Sequence, residues 1–188
     1  MSIMDGGTEE SDEHIAARVQ AGDIDAYGTL IDRYDKKLNR YGQKFLARAE
    51  DIQDIVQDAF ISAYKNIQSF DPNMRFSPWI YRIAHNAFVN ALRRQDRVAF
   101  MLDFDTFISH HVYEDPAENE REQRDTRAML EKTLSSLSPK YREILTLHYY
   151  ENLPYKDIAE VLQIPMGTVA IRMKRAKDAL RKTLESHV

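Results

Sequence analysis

Cysteine is absent from the 188 residues, which excludes disulfide bonds and thiolate metal ligands and is compatible with a reducing compartment. Glycine and proline occur only six times each, and no long alternation of β-branched residues is present. These absences predict an all-α chain. No apolar run reaches membrane-spanning length, and the polar N-terminus lacks the apolar core of a signal peptide. We therefore expect a soluble, cytoplasmic protein without membrane insertion.

A surplus of positive charge is also missing. The formal net charge is −4 and the isoelectric point is near 5.9. A protein that binds DNA by itself usually has a basic surplus, because phosphate neutralisation supplies much of the affinity. The basic residues here are clustered rather than dominant, and this distribution favours a protein that reaches DNA together with a larger partner.

The most informative stretch runs from Ser77 to Arg97. Ser77 is predicted as the N-cap of a helix, and Pro78 suits its first position. An apolar face follows at three- and four-residue steps, formed by Trp79, Ile80, Ile83, Ala84, Ala87, Phe88, Ala91 and Leu92. A second stripe of amide and guanidinium groups consists of Arg82, Asn86, Asn90, Arg93 and Arg97, with Tyr81 and His85 beside it. Amides read base edges, guanidinium groups hold phosphates and aromatic rings stack on unpaired bases. The alternative is an ordinary solvated basic face over a core.

Three motifs occur in a fixed order along the chain. They are Asp54-Ile-Val-Gln-Asp-Ala-Phe60, Phe76-Ser-Pro-Trp-Ile-Tyr-Arg-Ile-Ala-His-Asn86 and Pro165-Met-Gly-Thr-Val169. In this order and spacing they resemble the two-domain sigma factors of bacterial RNA polymerase, the extracytoplasmic-function group of the sigma-70 family. The resemblance extends from about Ile15 to Leu184. It implies two helical domains, residues 12–98 and 124–188, joined by an acidic linker over residues 99–123.

The resemblance also implies partners: core RNA polymerase (through its β′ clamp helices and β flap), promoter DNA and an anti-sigma factor. For the clamp helices, the matching surface is the outer face of an amphipathic helix predicted over residues 50–68. Its polar residues are Asp51, Asp54, Gln57 and Asp58. Acidic residues near a helix N-terminus are also stabilised by the helix dipole alone, and this alternative stays open.

The loop from Ser69 to Phe76 contains the turn signal Asp-Pro-Asn. By resemblance, this loop and the start of the next helix receive a base flipped out of the minus-ten element. Phe70 and Phe76 either stack on such a base or belong to the core, and for Phe76 the core is preferred. The residues predicted to bind the minus-ten element are Phe70, Tyr81, Arg82, Asn86, Asn90, Arg93 and Arg94.

The linker is rich in acidic and apolar side chains. By resemblance, it threads through the polymerase channel. Two adjacent histidines, His110 and His111, lie close to Glu114 and Asp115. Adjacent histidines on a flexible segment make a poor preorganised metal site, so neither a metal nor another cofactor is predicted.

The last two predicted helices, residues 155–162 and about 165–184, are separated by Gln163-Ile-Pro and form a helix-turn-helix. The alternative is an antiparallel helical pair with a solvated basic face. By resemblance this region reads the minus-thirty-five element, through Thr168, Ala170, Ile171, Arg172, Lys174 and Arg175. Ala170 and Ile171 stand where the family commonly has basic or polar residues, so its base preference does not carry over.

These features predict a sigma factor, not an enzyme, because no nucleophile triad, paired-carboxylate cleft or phosphate loop is evident. Two other functions stay open. A helix-turn-helix regulator would bind operator DNA without polymerase, and a protein-binding helical adaptor would support no promoter-specific transcription.

Overall fold

The computed structural model describes residues 10–95 and 137–185, with side chains as far as Arg94 in the first range and Lys182 in the second. Within these ranges the chain forms helices and no strand, as predicted. The helices are α1 (Asp12–Gln20), α2 (Asp25–Gly42), α3 (Ala49–Lys65), α4 (Phe76–Gln95), α5 (Pro139–Leu145), α6 (Tyr155–Leu162) and α7 (Met166–Glu185). The linker and its histidine pair lie outside the described residues. None of the described helices combines the length and apolarity needed to cross a membrane.

Helices α1 to α4 pack together as the N-terminal half of the described chain. The predicted apolar stripes form its core, and the fully buried side chains include Leu30, Leu38, Ile80, Phe88 and Leu92. Gly42, at the end of α2, allows α2 to lie close to α3 and α4. A Cβ atom at this position would lie 2.5 Å from Phe88 Cζ and 2.6 Å from Ile52 Cγ2. A side chain at position 42 would therefore push α2 away from α3 and α4.

The start of α4 differs from the prediction. The helix begins at Phe76, so Ser77 lies inside its first turn and is not the N-cap. Glu13 of α1 accepts a hydrogen bond from the backbone N–H of Phe76 at 2.9 Å. A carboxylate from another helix therefore satisfies the helix N-terminus, a role that no local sequence pattern reveals.

The C-terminal half is built from α5, α6 and α7. Helix α5 continues into a π-helical turn over Thr146–Tyr150. Ser138 occupies the N-cap position of α5 with Pro139 next, although the Ser138 side chain makes no capping hydrogen bond. Helix α6 ends at Leu162 and is followed by the C-cap residue Gln163. The φ of Gln163 is 53°, a left-handed conformation that turns the chain toward α7. Val169, Met173 and Ala176 of α7 are buried and form its inner face.

Candidate nucleic-acid and polymerase interface

One side of α4 is exposed and polar along its C-terminal half. Asn86, Asn90, Arg93 and Arg94 are exposed, and Arg82 is half-buried one turn earlier. Their spacing of three or four residues gives a continuous stripe of amides and guanidinium groups opposite the buried Ala84, Phe88 and Leu92. The structure thus brings these five predicted residues together on one accessible surface.

A cleft of about 360 Å³ runs between α3 and α4. Asp58 lines it from α3, and Asn86, Asn90 and Arg94 line it from α4. The remaining lining is largely apolar and includes Ile55 and Ile83. The predicted polymerase-docking face and the predicted base-reading stripe therefore share one cleft.

A second cavity, of about 420 Å³, lies beside the loop that precedes α4. Asp71 shapes the loop, since its Oδ1 accepts hydrogen bonds from the Asn73 backbone N–H and side-chain amide, each at 2.9 Å. This is the predicted Asp-Pro-Asn turn. Met74, Arg75, Trp79 and Arg82 line the cavity, so it offers one aromatic ring and two guanidinium groups. Such a set can hold an unpaired base and its phosphates.

Phe70 lines the same cavity but belongs to the core. It is only 4% exposed. Its ring centroid lies 5.4 Å from that of Phe76 and 5.3 Å from that of Trp79. The expectation that Phe70 stacks on DNA is therefore corrected, because its side chain is buried within this aromatic cluster. Trp79, half-buried at the edge of the cavity, is the better placed aromatic residue.

Tyr81 is also placed differently from the prediction. It is 1% exposed, and its ring packs at 5.4 Å from that of Tyr41. Tyr81 precedes Ala84 by three residues and Phe88 by seven, so helical periodicity puts it on the buried side of α4. In this arrangement Tyr81 is unavailable to DNA.

The two halves of the described chain meet where α6 packs against α4. Arg75 Nη1 lies 2.5 Å from Oδ2 of Asp157 in α6. Glu160, one turn further along α6, also lines the loop cavity. The C-terminal half therefore covers one side of this cavity.

Two carboxylates of the C-terminal half, those of Glu143 and Glu151, make polar contacts with the N-terminal half. Glu143 Oε1 accepts a hydrogen bond from the Tyr41 hydroxyl at 2.7 Å and lies 2.9 Å from His85 Nδ1. Glu151, whose side chain is 2% exposed, lies 2.9 Å from Arg40 Nη2 and accepts a hydrogen bond from the Tyr81 hydroxyl. Burial, followed by the nearby carboxylates, raises the pKa of both Tyr41 and Tyr81 far above 10. Both hydroxyls thus remain donors at neutral pH.

The acidic face of α3 is exposed as expected. Asp54, Gln57 and Asp58 face solvent, while Asp51 is half-buried and lies 3.9 Å from Arg48. Ile52, Val56 and Ala59 are buried on the opposite side. Among the described residues there is no cluster of three or more acidic or histidine side chains arranged for a metal ion.

The predicted outer surface of α7 is accessible. Ala170, Lys174 and Arg175 are exposed, and Ile171 is 56% exposed. Thr168 and Arg172 are half-buried. Met166, at the first position of the helix, adds a further exposed apolar side chain. The early turns of α7 therefore present apolar groups, and basic groups follow one turn later.

Sequence reasoning missed the junction residues Arg75, Glu143, Glu151 and Asp157. Their partners across the junction lie between 58 positions away, for His85 and Glu143, and 111 positions away, for Arg40 and Glu151. When the partner lies this far along the sequence, no local pattern distinguishes a paired charged side chain from one that only faces solvent. Trp79 was assigned only to the apolar face, although its position next to the loop was a usable signal.

Two family models match the chain. Sigma-70 region 2 matches residues 30–98, and Sigma-70 region 4 matches residues 127–180. Together they account for more than half of the chain.

Curated relatives match over nearly the full length. The RNA polymerase sigma-H factor of Pseudomonas aeruginosa is 35% identical over 185 residues, covering 95% of this chain and 96% of the relative. The ECF RNA polymerase sigma factor SigW of Bacillus subtilis is 34% identical over 178 residues, covering 89% and 93%.

Solved structures share the fold. CnrH, solved in complex with the cytosolic domain of CnrY, matches with a TM-score of 0.69 and 25% identity, covering 95% of this chain and all of that chain. The sigma factor RpoE of Bartonella quintana, solved with the anti-sigma factor NepR, matches with a TM-score of 0.67 and 21% identity. That match covers 85% of this chain and 96% of RpoE.

Proposed function

The chain belongs to the extracytoplasmic-function group of the sigma-70 family, and on that premise we propose which of its surfaces perform the family's tasks. A member of this family binds core RNA polymerase, recognises promoter DNA and directs transcription initiation. The surfaces are those of α3, α4 with its preceding loop, and α7. We propose domain limits at residues 12–98 and 124–188, with the linker between them.

Strand capture at the minus-ten element is assigned to α4 and its loop. The observation that supports this most directly is the exposed stripe from Arg82 to Arg94, which begins at the loop cavity and continues along the α3–α4 cleft. Asn86 and Asn90 have the donor and acceptor groups that pair with the edge of a base, particularly adenine. Arg82, Arg93 and Arg94 supply phosphate contacts, which set position rather than sequence.

Polymerase docking is assigned to the outer face of α3. Asp54, Gln57 and Asp58 are exposed on this face, and Asp58 adjoins the α4 stripe across the cleft. A β′ clamp helix seated on this face would lie next to the captured strand. The C-terminal half is assigned to the β flap and to the minus-thirty-five element. Helix α7 reads that element through Thr168, Ala170, Ile171, Arg172, Lys174 and Arg175.

We further propose an anti-sigma partner, because a protein of the same fold, RpoE, was solved with one. The chain acts without catalysing a reaction of its own, since core polymerase performs the synthesis. Its place is the cytoplasm, where promoter DNA and core polymerase are found.

Transcription in vitro tests this function. Core polymerase on a set of promoter templates should initiate at defined sites only after the protein is added. The free protein should bind promoter duplex weakly at physiological salt, because its net charge is −4. Tight operator binding by the free protein would favour the regulator alternative, and absence of any promoter-specific transcript would favour the adaptor.

A further inference from the structure

Two of the four glycines in the described ranges are required by the fold itself. Gly22 has a φ of 105°, a left-handed conformation that strains any other residue. Gly42 leaves no room for a Cβ atom, which would lie 2.5 Å from the Phe88 side chain. Gly28 in α2 and Gly167 in α7 differ from both. Neither has a positive φ, and a Cβ atom at either position would meet nothing within 4 Å beyond its chain neighbours and its own helical backbone.

A helical glycine that the fold does not require lowers stability. Glycine has more backbone freedom to lose on folding than alanine, so a helix that contains it is less stable. Gly167 lies in the first turn of α7 and belongs to the motif Pro165-Met-Gly-Thr-Val169. Val169 of this motif is buried and serves the core. Packing within the described chain gives Gly167 no such role, so we sought its role in contact with another molecule.

Gly167 lies on the face of α7 that points away from the core. It precedes Ala170 by three residues, Ile171 by four and Lys174 by seven, so these residues share one side of the helix. All four are exposed. In the proposed function this side of α7 enters the major groove, where the N-terminal residues of a recognition helix meet the base edges. Gly167 is the first residue of that side within the helix.

We propose that Gly167 is a positioning residue of the minus-thirty-five interface, at which the DNA comes so close to the α7 backbone that a Cβ atom does not fit. Glycine is the residue that permits close approach of a backbone to a ligand. A methyl group at position 167 would hold the start of α7 away from the groove. The contacts of Ala170 and Ile171, one turn later, would then weaken, because dispersion attraction falls steeply with distance. This inference rests on the proposed function of α7.

The test uses the full-length protein bound to core polymerase and two fork-junction fragments of a promoter that the unmodified holoenzyme transcribes. Both fragments contain the single-stranded minus-ten element, and only the longer one includes the minus-thirty-five duplex. The ratio of the two affinities measures the contribution of the minus-thirty-five contact. Gly167→Ala should lower this ratio by about fivefold or more, the effect of losing about one good base contact. Affinity for the shorter fragment should stay within about twofold.

Gly28→Ala is the matched control. Gly28 is also helical and exposed, and a Cβ atom there also meets open space, but α2 is not assigned to DNA. The affinity ratio of this control should change by less than about twofold. Both alanine variants should unfold thermally at the same temperature as the unmodified protein or about 1–4 °C above it. A lower unfolding temperature for Gly167→Ala alone would assign the glycine to the fold and overturn the proposal.

Close approach also predicts that the loss grows with the size of the side chain. Gly167→Val should lower the affinity ratio about threefold further than Gly167→Ala, whereas Gly28→Val should leave it unchanged. A loss of the same size for alanine and valine at position 167 would contradict steric displacement and overturn the proposal.

The proposed function and the role of Gly167 fail in different ways. If the unmodified holoenzyme binds both fragments equally, α7 reads no minus-thirty-five element, and the assignment of α7 falls together with the positioning role. If the longer fragment binds more tightly, but the ratio is the same for the unmodified protein and Gly167→Ala, the assignment of α7 stands and only the role of Gly167 is wrong.

Discussion

Tyr81 and Glu151 lie 70 residues apart in the chain, and the Tyr81 hydroxyl donates a hydrogen bond to Glu151 Oε2. The other carboxylate oxygen lies 2.9 Å from Arg40 Nη2. A buried carboxylate is costly unless both oxygens are paired, and here one partner is a neutral donor and the other a cation. This arrangement joins a residue of the promoter-binding helix to the C-terminal half.

Replacing Tyr81 with Phe should therefore weaken the junction while keeping the ring packing against Tyr34 and Tyr41. The expected loss is about 1–2 kcal/mol in the free energy of unfolding, the cost of leaving one buried carboxylate oxygen without its donor. Urea unfolding followed by the fluorescence of Trp79, the single tryptophan, measures it. Tyr64→Phe, on an exposed tyrosine of α3, is the control and should stay within about 0.5 kcal/mol. Equal effects of the two substitutions would contradict the assignment.

Alkaline pH should destabilise the protein through its buried tyrosines. Burial raises the folded-state pKa of Tyr27, Tyr34, Tyr41 and Tyr81 above the ordinary value near 10. Between pH 10 and the raised values the unfolded chain loses these protons and the folded protein keeps them. The folded state then binds more protons, so stability is full below pH 10 and falls above it, by about 1.4 kcal/mol per pH unit for each tyrosine.

Circular dichroism and tyrosinate absorbance, recorded together from pH 9 to 12, check this prediction. Loss of helix and appearance of the buried tyrosinates should coincide. In the Tyr81→Phe variant, stability should fall less steeply above pH 10, by about 1.4 kcal/mol per pH unit, because one buried tyrosine is absent. Gradual ionisation of these tyrosines with the helices intact would contradict it.

Charge reversal on α3 tests the docking face. Asp54→Lys with Asp58→Lys should weaken binding to core polymerase at least about tenfold, because two favourable charges become repulsive across an interface. The fold should persist, since exposed helix charges each contribute about 1 kcal/mol or less. Affinity is measured with labelled core enzyme, and circular dichroism reports the fold. Asp32→Lys with Asp35→Lys, at two exposed acids of α2 outside this face, is the matched control with the same change in charge. Equal losses from this control would assign the effect to net charge.

Substitution of the two exposed amides of α4 tests whether they read bases. Asn86→Ala and Asn90→Ala should each cost about 1–3 kcal/mol of discrimination at the minus-ten element and impair promoter opening. Permanganate footprinting of unpaired thymines measures opening, and templates with single substitutions measure preference. Asn66→Ala removes an exposed amide just after α3 that donates a hydrogen bond to the Ser62 carbonyl, and it should leave both opening and preference unchanged. Normal opening with unaltered preference in the double variant would remove these residues from the base-reading surface.

The sequence was sufficient for the parts of the fold that repeat locally. Apolar residues at three- and four-residue steps predicted α3, α6 and α7 within a few residues of their observed bounds. The same rule, applied more strictly, places Tyr81 with Ala84 and Phe88 and would have removed it from the DNA surface.

The junction could not be predicted in this way. Asp157 lies in the first turn of α6, where an acid is favoured by the helix dipole whether or not it has a partner. Its contact with Arg75 joins residues 82 positions apart. Glu143 and Glu151 have the same character, because neither has a local pattern that distinguishes a buried acceptor from a solvated charge. Long-range polar pairing is visible only once the helices have packed.

The last prediction concerns α7, where Ala170 and Ile171 are exposed and cannot form hydrogen bonds through their side chains. Neither can read guanine or adenine by paired contacts, but an apolar group in the major groove can pack against the thymine methyl. Replacing the thymines of the minus-thirty-five element with uracil removes only that methyl, so transcription should fall about three- to tenfold, in line with one or two lost apolar contacts. Ile171→Ala should abolish most of the difference between the two templates, whereas Met166→Ala, at an exposed apolar position before the predicted contacts, should preserve it. Run-off transcription on paired thymine and uracil templates provides the measurement. Equal activity of the unmodified protein on both would mean that Ala170 and Ile171 make no methyl contact.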